Sequence, residues 1–282
     1  MAMHDFDQAL QLTPVGAAAD GVSTGTASPR YWNMVGPFGG ATAAVMLQAV
    51  LQHPDCLGEP IALTVNFAAA LGQGAYTVTA RAAKTNRSTQ HWTVEMTQPD
   101  ADGVPQVLTT ATAVTAVRRE TWGGSDSPMP EVPHAQEVEA IKGPMPLEWL
   151  LRYEMRPVAG AVPTAWDGAE NPLPPEQASL SRLWVRDVPP RPLDFASLAA
   201  FADVFYPRVW LRRAIMVPAG TVSITTYFHA SAAQLAATGD SFLLGQARGQ
   251  GFRNGFFDQA VQLWNPAGTL LATSHQIVYY KA

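Results

Sequence analysis

The C-terminal stretch GTLLATSHQIVYYKA, residues 268–282, places an amide where an extended strand should be apolar. Its alternating pattern predicts a β-strand, and Gln276 then falls on the same face as Ala272 and Val278. A buried amide without a hydrogen-bond partner costs about 1–3 kcal/mol. Gln276 therefore either faces solvent or meets polar partners inside the fold.

Composition indicates a folded protein with a sizeable core. The chain has 282 residues, of which 47% are hydrophobic and 15% charged, enough for one large domain or two of ordinary size. Its formal net charge of −5 offers no basic field for nucleic acid. The single cysteine, Cys56, excludes an internal disulfide framework and a four-cysteine zinc site. The histidines show no metal-ligand spacing, so no metal or other cofactor is expected.

The first residues, MAMHDFDQAL, lack the basic and apolar regions of a signal peptide. No apolar run approaches the roughly 18 residues of a membrane span. These features predict a cytoplasmic protein without a membrane-spanning segment.

A segment rich in proline, glycine, serine and acidic residues, 121–146, predicts a linker. It divides the chain into an N-terminal unit, 1–120, and a C-terminal unit, 147–282. The units form a weak internal repeat, in which PIALTVNFAAA (60–70) matches TVSITTYFHAS (221–231). Each unit also ends with a turn and a threonine-rich apolar strand, so the sequence predicts two copies of one fold.

Each unit has one helix candidate ahead of its main run of strands. The first, residues 39–53, contains no charged residue and should be almost wholly buried. The second, residues 194–205, can be capped by Asp194. Short opening strands are predicted in FDQALQLTP and LEWLLRYEMRP. The element order predicts an α+β unit in which an antiparallel sheet wraps around an apolar helix.

This order resembles the hotdog fold, and its duplication resembles a tandem (double) hotdog. The segments GPFGGATAAVMLQAV, PLDFASLAAFADVF and LATSHQ are similar to those of the acyl-CoA thioesterase II type and the thioesterase-like group around it. The resemblance covers nearly the whole chain outside the linker and depends on the ordered set of segments. It implies an enzyme of lipid metabolism that hydrolyses an acyl-CoA to free acid and CoA, assembled as a dimer of double hotdogs.

The resemblance also implies which residues act. In that family an aspartate on the second central helix, a threonine or serine on a following strand and a glutamine on the last strand hold a water. The matching residues are Asp203, Thr221 and Gln276. A carboxylate can take the proton of the attacking water, while a hydroxyl and an amide can orient it. Direct attack by Asp203 on the thioester is the alternative.

The internal repeat offers a test of these assignments. Superposing the two halves puts Ala113 opposite Gln276. It also puts Pro60 opposite Thr221, and residues 31–54 contain no aspartate or glutamate. A role intrinsic to the fold should appear in both halves, so the asymmetry indicates one active site, in the C-terminal unit.

The remaining requirements of thioester hydrolysis have weaker candidates. Gly39 and Gly40 in GPFGG could present free backbone N–H groups to the developing oxyanion; a tight turn before the helix is the alternative. Arginine pairs well with the phosphates of CoA. The candidates for that role are Arg87 and Arg253, with Arg118, Arg119 and Arg248 in addition.

Two other functions fit the same fold. A non-catalytic acyl-CoA or fatty-acyl binding protein would show affinity without turnover. A double-hotdog hydratase or dehydratase would need an aspartate–histidine pair, and no histidine lies near Asp203 in the sequence.

Overall fold

The structure, a computed structural model, describes residues 3–142 and 146–281. These residues contain thirteen strands and six α-helices. Residues 143–145 of the predicted linker, and residues 1, 2 and 282 of the two predicted units, lie outside that part. The strands are β1 (Thr13–Pro14), β2 (Val22–Thr26), β3 (Glu59–Phe67), β4 (Ala75–Thr85), β5 (Thr89–Pro99), β6 (Pro105–Ala116), β7 (Tyr153–Ala159), β8 (Ser181–Asp187), β9 (Ala219–Phe228), β10 (Leu243–Arg248), β11 (Phe252–Arg253), β12 (Phe256–Trp264) and β13 (Leu270–Tyr280). The helices are α1 (Asp5–Ala9), α2 (Gly39–Leu51), α3 (Pro175–Ala178), α4 (Phe195–Phe201), α5 (Arg208–Arg213) and α6 (Ala232–Thr238).

All the strands belong to one antiparallel sheet in the order β1–β2–β4–β5–β6–β3–β9–β13–β12–β10–β8–β7, with β11 paired to β12. The N-terminal strands occupy one side of this order and the C-terminal strands the other, so the halves join where β3 pairs with β9. At the join Thr64 faces Thr225, and their hydroxyl oxygens are 2.9 Å apart. The architecture is the predicted double hotdog.

Strand register shows which positions of the two halves are equivalent. Leu63 and Ile224 each precede one of the paired threonines at the join. Leu63 faces Ala113 on β6, and Ile224 faces Gln276 on β13. Ala113 therefore occupies in the first half the position that Gln276 occupies in the second.

The two central helices pack against each other inside the sheet. Ten residues of α2 and all seven residues of α4 are buried, as their apolar sequences predict. Asp194 caps α4, because its side chain accepts a hydrogen bond from the Ser197 N–H at 2.8 Å. No helix in the described ranges is long and apolar enough to cross a membrane.

The second helix ends earlier than the sequence predicts. α4 stops at Phe201 instead of Phe205, and Asp203 lies in the turn that follows. The prediction that Asp203 sits on the helix was therefore wrong by two residues.

The first predicted opening strand was also wrong. The first four residues of FDQALQLTP belong to α1, because Phe6 and Leu10 share one face of a helix and both are buried, and only Thr13 and Pro14 form a strand, β1. The ring of His4 caps this helix by accepting a hydrogen bond from the Phe6 N–H at 3.0 Å. In LEWLLRYEMRP, residues Glu148–Arg152 form a 3₁₀-helix, and the strand β7 begins only at Tyr153.

The segment after β6 lies against the outer surface of the second half. The backbone carbonyls of Ser127 and Pro133 accept hydrogen bonds from the indoles of Trp264 and Trp184, at 3.0 and 2.9 Å. Residues 117–134 contain no helix or strand. The division of the chain at 121–146 stays a prediction.

Candidate active site

The structure brings Asp203, Thr221 and Gln276 together. Gln276 is 5% exposed on the inner face of β13. The Thr221 hydroxyl, near the start of β9, donates to the Gln276 Oε1 at 2.8 Å. The Gln276 side chain in turn bonds the carboxyl group of Asp203. A carboxyl, an amide and a hydroxyl thus form one connected polar group within an apolar interior.

The carboxyl group of Asp203 has a raised pKa. Part of the residue reaches the surface, but burial of the carboxyl raises its pKa from 3.8 to about 7. The hydrogen bonds from Gln276 and from the Gly40 N–H oppose this rise. A carboxyl with a pKa near neutrality is suited to act as a general base.

The first turn of α2 lies directly against Asp203. Gly39 has no Cβ, and one placed there would come within 2.7 Å of the Asp203 Oδ2. A Cβ on Gly40 would come within 2.6 Å of the Ala200 carbonyl oxygen on α4. Glycines at both positions therefore allow the two halves to meet at the site. The Gly40 N–H serves the carboxyl group, and the oxyanion role predicted for Gly39 and Gly40 stays a prediction.

Replacing Gly39 by alanine is expected to lower kcat about 10–100-fold, because the added Cβ would displace the Asp203 carboxyl. Gly123→Ala is the matched control, since a Cβ there meets no atom within 4 Å. Steady-state kinetics and thermal melting of both variants check the prediction. Equal kcat values in the two variants would contradict it.

An aromatic cluster accounts for much of the apolar surroundings. Phe38 stacks on Trp149, with ring centroids 4.2 Å apart. Tyr153 contacts Phe38 and Phe201 edge to face, at 6.0 and 5.5 Å. Burial raises the pKa of Tyr153, and the nearby negative charge of Asp203 adds to that effect. These rings form part of the buried core beside the two central helices.

A buried arginine holds the chain just after Asp203. Arg208 is 0% exposed, and its guanidinium donates to the Tyr206 carbonyl at 2.9 Å. It also donates to the Ser181 hydroxyl at 2.7 Å and to the Ser179 carbonyl at 3.1 Å. Arg208 thereby fixes the segment that follows Asp203 to the neighbouring strand β8.

The two arginines predicted to bind CoA phosphates lie in different places. Arg253 is exposed on β11, three strand spacings or roughly 14 Å from β9, at the same end of the sheet as Thr221. Arg87 is exposed in the β4–β5 turn, near the Glu59 end of β3. The site lies at the Phe67 end of that strand, roughly 26 Å away. The structure therefore does not bring Arg87 to the site, and both phosphate roles stay predictions.

Arg118 is engaged at the join between the halves. It pairs with Glu59 at 2.9 Å and donates to the carbonyls of Pro60 and Phe228, at 3.0 and 2.8 Å. These contacts give it a structural task, and the phosphate role considered for it stays a prediction. Arg119 and Arg248 are exposed on the surface.

Sequence reasoning missed Gln259. This residue of β12 is 1% exposed and faces Gln276 directly across the sheet. The signal was present in GFFDQAVQLW, where alternation places the glutamine on the same face as Phe257 and Val261.

In the described part of the chain, no cluster of three or more His, Cys, Asp or Glu side chains could hold a metal ion.

The fold is that of a double-hotdog protein, and matches to family models identify the family. A model of the acyl-CoA thioesterase N-terminal domain matches residues 28–116, and one of the acyl-CoA thioesterase C-terminal domain matches residues 125–280. The chain belongs to this acyl-CoA thioesterase family. No protein of curated function matches the sequence.

Solved structures show the same fold over the whole chain. A conserved protein of unknown function with a hotdog fold, from Alicyclobacillus acidocaldarius, is 43% identical with a TM-score of 0.89, over 100% of this chain and 99% of that one. The acyl-CoA thioesterase II TesB2 from Mycobacterium marinum is 16% identical with a TM-score of 0.73, over 98% of each chain. A tesB protein of Mycobacterium avium subs paratuberculosis is 18% identical with a TM-score of 0.75, over 99% of this chain and 98% of that one.

Proposed function

We propose that the protein is an acyl-CoA thioesterase that hydrolyses an acyl-CoA to the free acid and CoA. The observation that carries this proposal is the buried carboxyl group of Asp203, whose pKa is raised to about 7 and which is linked through Gln276 to Thr221. Membership of the acyl-CoA thioesterase family gives the substrate class.

In the proposed reaction, Asp203 in its charged form takes a proton from a water as that water attacks the thioester carbonyl. Gln276 holds the carboxylate in place, and Thr221 fixes the orientation of the Gln276 amide by donating to its oxygen. The proton then passes from Asp203 to the sulfur as the carbon–sulfur bond breaks. Direct attack by Asp203 would instead form a mixed anhydride, which hydroxylamine would trap as a hydroxamate.

A small apolar crevice, about 20 Å³ in volume, lies beside the first central helix. It opens beside the first two turns of α2, where Ala41, Thr42 and Val45 line one side and Met96 lines the other. The crevice shares the helical turn whose glycines lie against Asp203, and it would have to widen to admit an acyl chain. Met46, Leu47, Phe201 and Phe205, which could also line a tunnel, are all buried in the core.

Two rival functions have less support. A dehydratase-type site would need a histidine beside the catalytic aspartate, but the contacts that define the Asp203 site come from Gln276, Gly40 and Gly39. The side chain of His275 pairs with Asp258 at 3.0 Å and is 57% exposed. A non-catalytic acyl-CoA binding protein would have no need for a buried carboxyl group linked through Gln276 to the Thr221 hydroxyl.

The experiment that tests the proposal is free-thiol release from a panel of acyl-CoAs of different chain length, branching and aromatic content. Asp203→Ala, Thr221→Ala and Gln276→Ala are assayed in parallel. Turnover by the wild type that Asp203→Ala abolishes would support the proposal. Tight binding without turnover on every substrate would favour the binding-protein alternative. Undiminished turnover by Asp203→Ala would contradict the mechanism.

We also propose a cytoplasmic protein of lipid metabolism that assembles as a dimer of double hotdogs. The outermost strands of the sheet, β1 and β7, each pair on one side only within the described residues. Such edges can associate with a second copy. Light scattering of the purified protein would determine the number of chains.

A further inference from the structure

Gln259 is a second buried amide beside the proposed catalytic residues. It is 1% exposed and lies opposite Gln276 in the β12–β13 ladder. Directly opposed residues of antiparallel strands point to the same face, with Cβ atoms roughly 4.5–5.5 Å apart. Gln276 contacts the carboxyl group of Asp203. Gln259 therefore lies on the strand next to the residue that holds the proposed base.

The amide nitrogen of Gln259 is buried and has no hydrogen-bond partner among the described residues. Buried amides in folded proteins are normally satisfied, and the same chain provides an example. Gln90 is also 1% exposed, yet its oxygen accepts from the Leu57 N–H, and its nitrogen donates to the Asp55 carbonyl and the Thr85 hydroxyl. Gln259 differs because its donor is free.

The fold itself does not require an amide at this position. Gln259 faces Gln276 in the second half, and Trp92 faces Ala113 in the first. Trp92 is therefore the counterpart of Gln259, and its indole N–H is satisfied by the Thr115 hydroxyl at 3.2 Å. Both opposed positions are apolar or aromatic in the half without the carboxyl group. Both are glutamine in the half that contains it.

Thioester hydrolysis leaves one requirement that the three proposed catalytic residues do not meet. Negative charge develops on the carbonyl oxygen as water attacks, and a hydrogen-bond donor must stabilise it. The Gly40 N–H bonds the Asp203 carboxyl, and the Thr221 hydroxyl donates to Gln276. Both of these donors are engaged, whereas the amide nitrogen of Gln259 is free and can act alone or beside the N–H of Gly39, for which an oxyanion role is also predicted.

We propose that the side-chain N–H of Gln259 donates a hydrogen bond to the thioester carbonyl oxygen. This hydrogen bond becomes stronger in the transition state, as negative charge develops on that oxygen. This inference rests on the proposed thioesterase function. Water oxygen bonds to the carbonyl carbon, the water proton goes to Asp203, and the carbonyl electron pair moves onto the oxygen that Gln259 holds. The carbonyl re-forms as the bond to sulfur breaks and the sulfur receives the proton.

The test is Gln259→Leu, which keeps the approximate volume and removes the donor. Its kcat is expected to fall about 10²–10³-fold with little change in KM, because the hydrogen bond acts mainly in the transition state. Removing a buried donor without a partner should also raise the Tm, by about 2–6 °C. The variant should therefore be more stable and less active.

Gln90→Leu is the matched control, because it removes an equally buried glutamine whose partners are known. It is expected to lower the Tm by a similar amount and to leave kcat unchanged. A fall in the Tm of Gln259→Leu like that of Gln90→Leu would indicate a structural amide and contradict the inference. Unchanged kcat in Gln259→Leu, with an active wild type, would overturn this inference alone. A wild type without turnover on any acyl-CoA would overturn the proposed function and this inference with it.

Discussion

Asp203→Asn is expected to lower kcat for acyl-CoA hydrolysis by about 10²–10⁴-fold, the contribution usual for a general base. Asparagine has nearly the same shape but cannot take a proton from water. Because the site is otherwise intact, KM should change little. Free-thiol release under saturating acyl-CoA measures the effect.

The same variant is expected to be more stable than the wild type at pH 8. The pKa of Asp203 is about 7 in the folded chain and 3.8 ordinarily, so the folded state favours the protonated form. That favourable contribution is fully present below about pH 4 and is lost as the pH rises through about 7. An uncharged asparagine avoids the loss, and the free energy of unfolding should rise by roughly 2–4 kcal/mol at pH 8. At pH 4 the gain should nearly vanish.

Asp187→Asn is the control that distinguishes a catalytic role of Asp203 from the effect of removing any buried carboxyl group. Asp187 is 3% exposed, and burial raises its pKa to about 7 as well, although Arg191 opposes the rise. It should share the stability effect of Asp203→Asn without the loss of kcat. Equal losses of kcat in the two variants would indicate a general electrostatic effect and contradict a specific role for Asp203.

Gln276→Leu is expected to have the second-largest effect, lowering kcat about 10²–10³-fold. The amide is the connection between the carboxyl group and the Thr221 hydroxyl, so its loss frees both. Its hydrogen bond also lowers the pKa of Asp203, and the acidic limb of the pH–rate profile should therefore move to higher pH. Thr221→Val, which acts only through Gln276, should show a smaller fall in kcat.

His275→Ala is the control for that position. His275 is adjacent in sequence, but it points to the opposite face of β13 and pairs with Asp258 at 3.0 Å. Its replacement should leave kcat and the acidic limb unchanged. An unshifted limb in Gln276→Leu, measured beside this control, would show that the amide does not act on the carboxyl group.

Much of the fold was predictable because it depends on local patterns. Alternation predicted the long strands, and the uncharged segment from Gly39 predicted the buried helix α2. The internal repeat put Ala113 opposite Gln276, and strand register gives the same equivalence. Register follows from the apolar pattern, which is why a comparison within one sequence was sufficient.

The parts that could not be predicted depend on distant contacts. The raised pKa of Asp203 results from burial, partly against Gly39 far away in the chain, and the Gly40 N–H opposes the rise. The remoteness of Arg87 becomes visible only when the ends of β3 are compared. Gln259 gave the same signal as Gln276, but its importance depends on a cross-strand neighbour and on an unpartnered nitrogen.

The pH dependence of kcat/KM for acyl-CoA hydrolysis tests the central claim most directly, because the base must be charged to act. With a pKa of about 7, Asp203 should give a rate that rises tenfold per pH unit below pH 7 and levels off above it. The predicted result is a profile of kcat/KM whose acidic limb ends near pH 7. A rate that stays constant from pH 5 to pH 8 would contradict Asp203 as the general base.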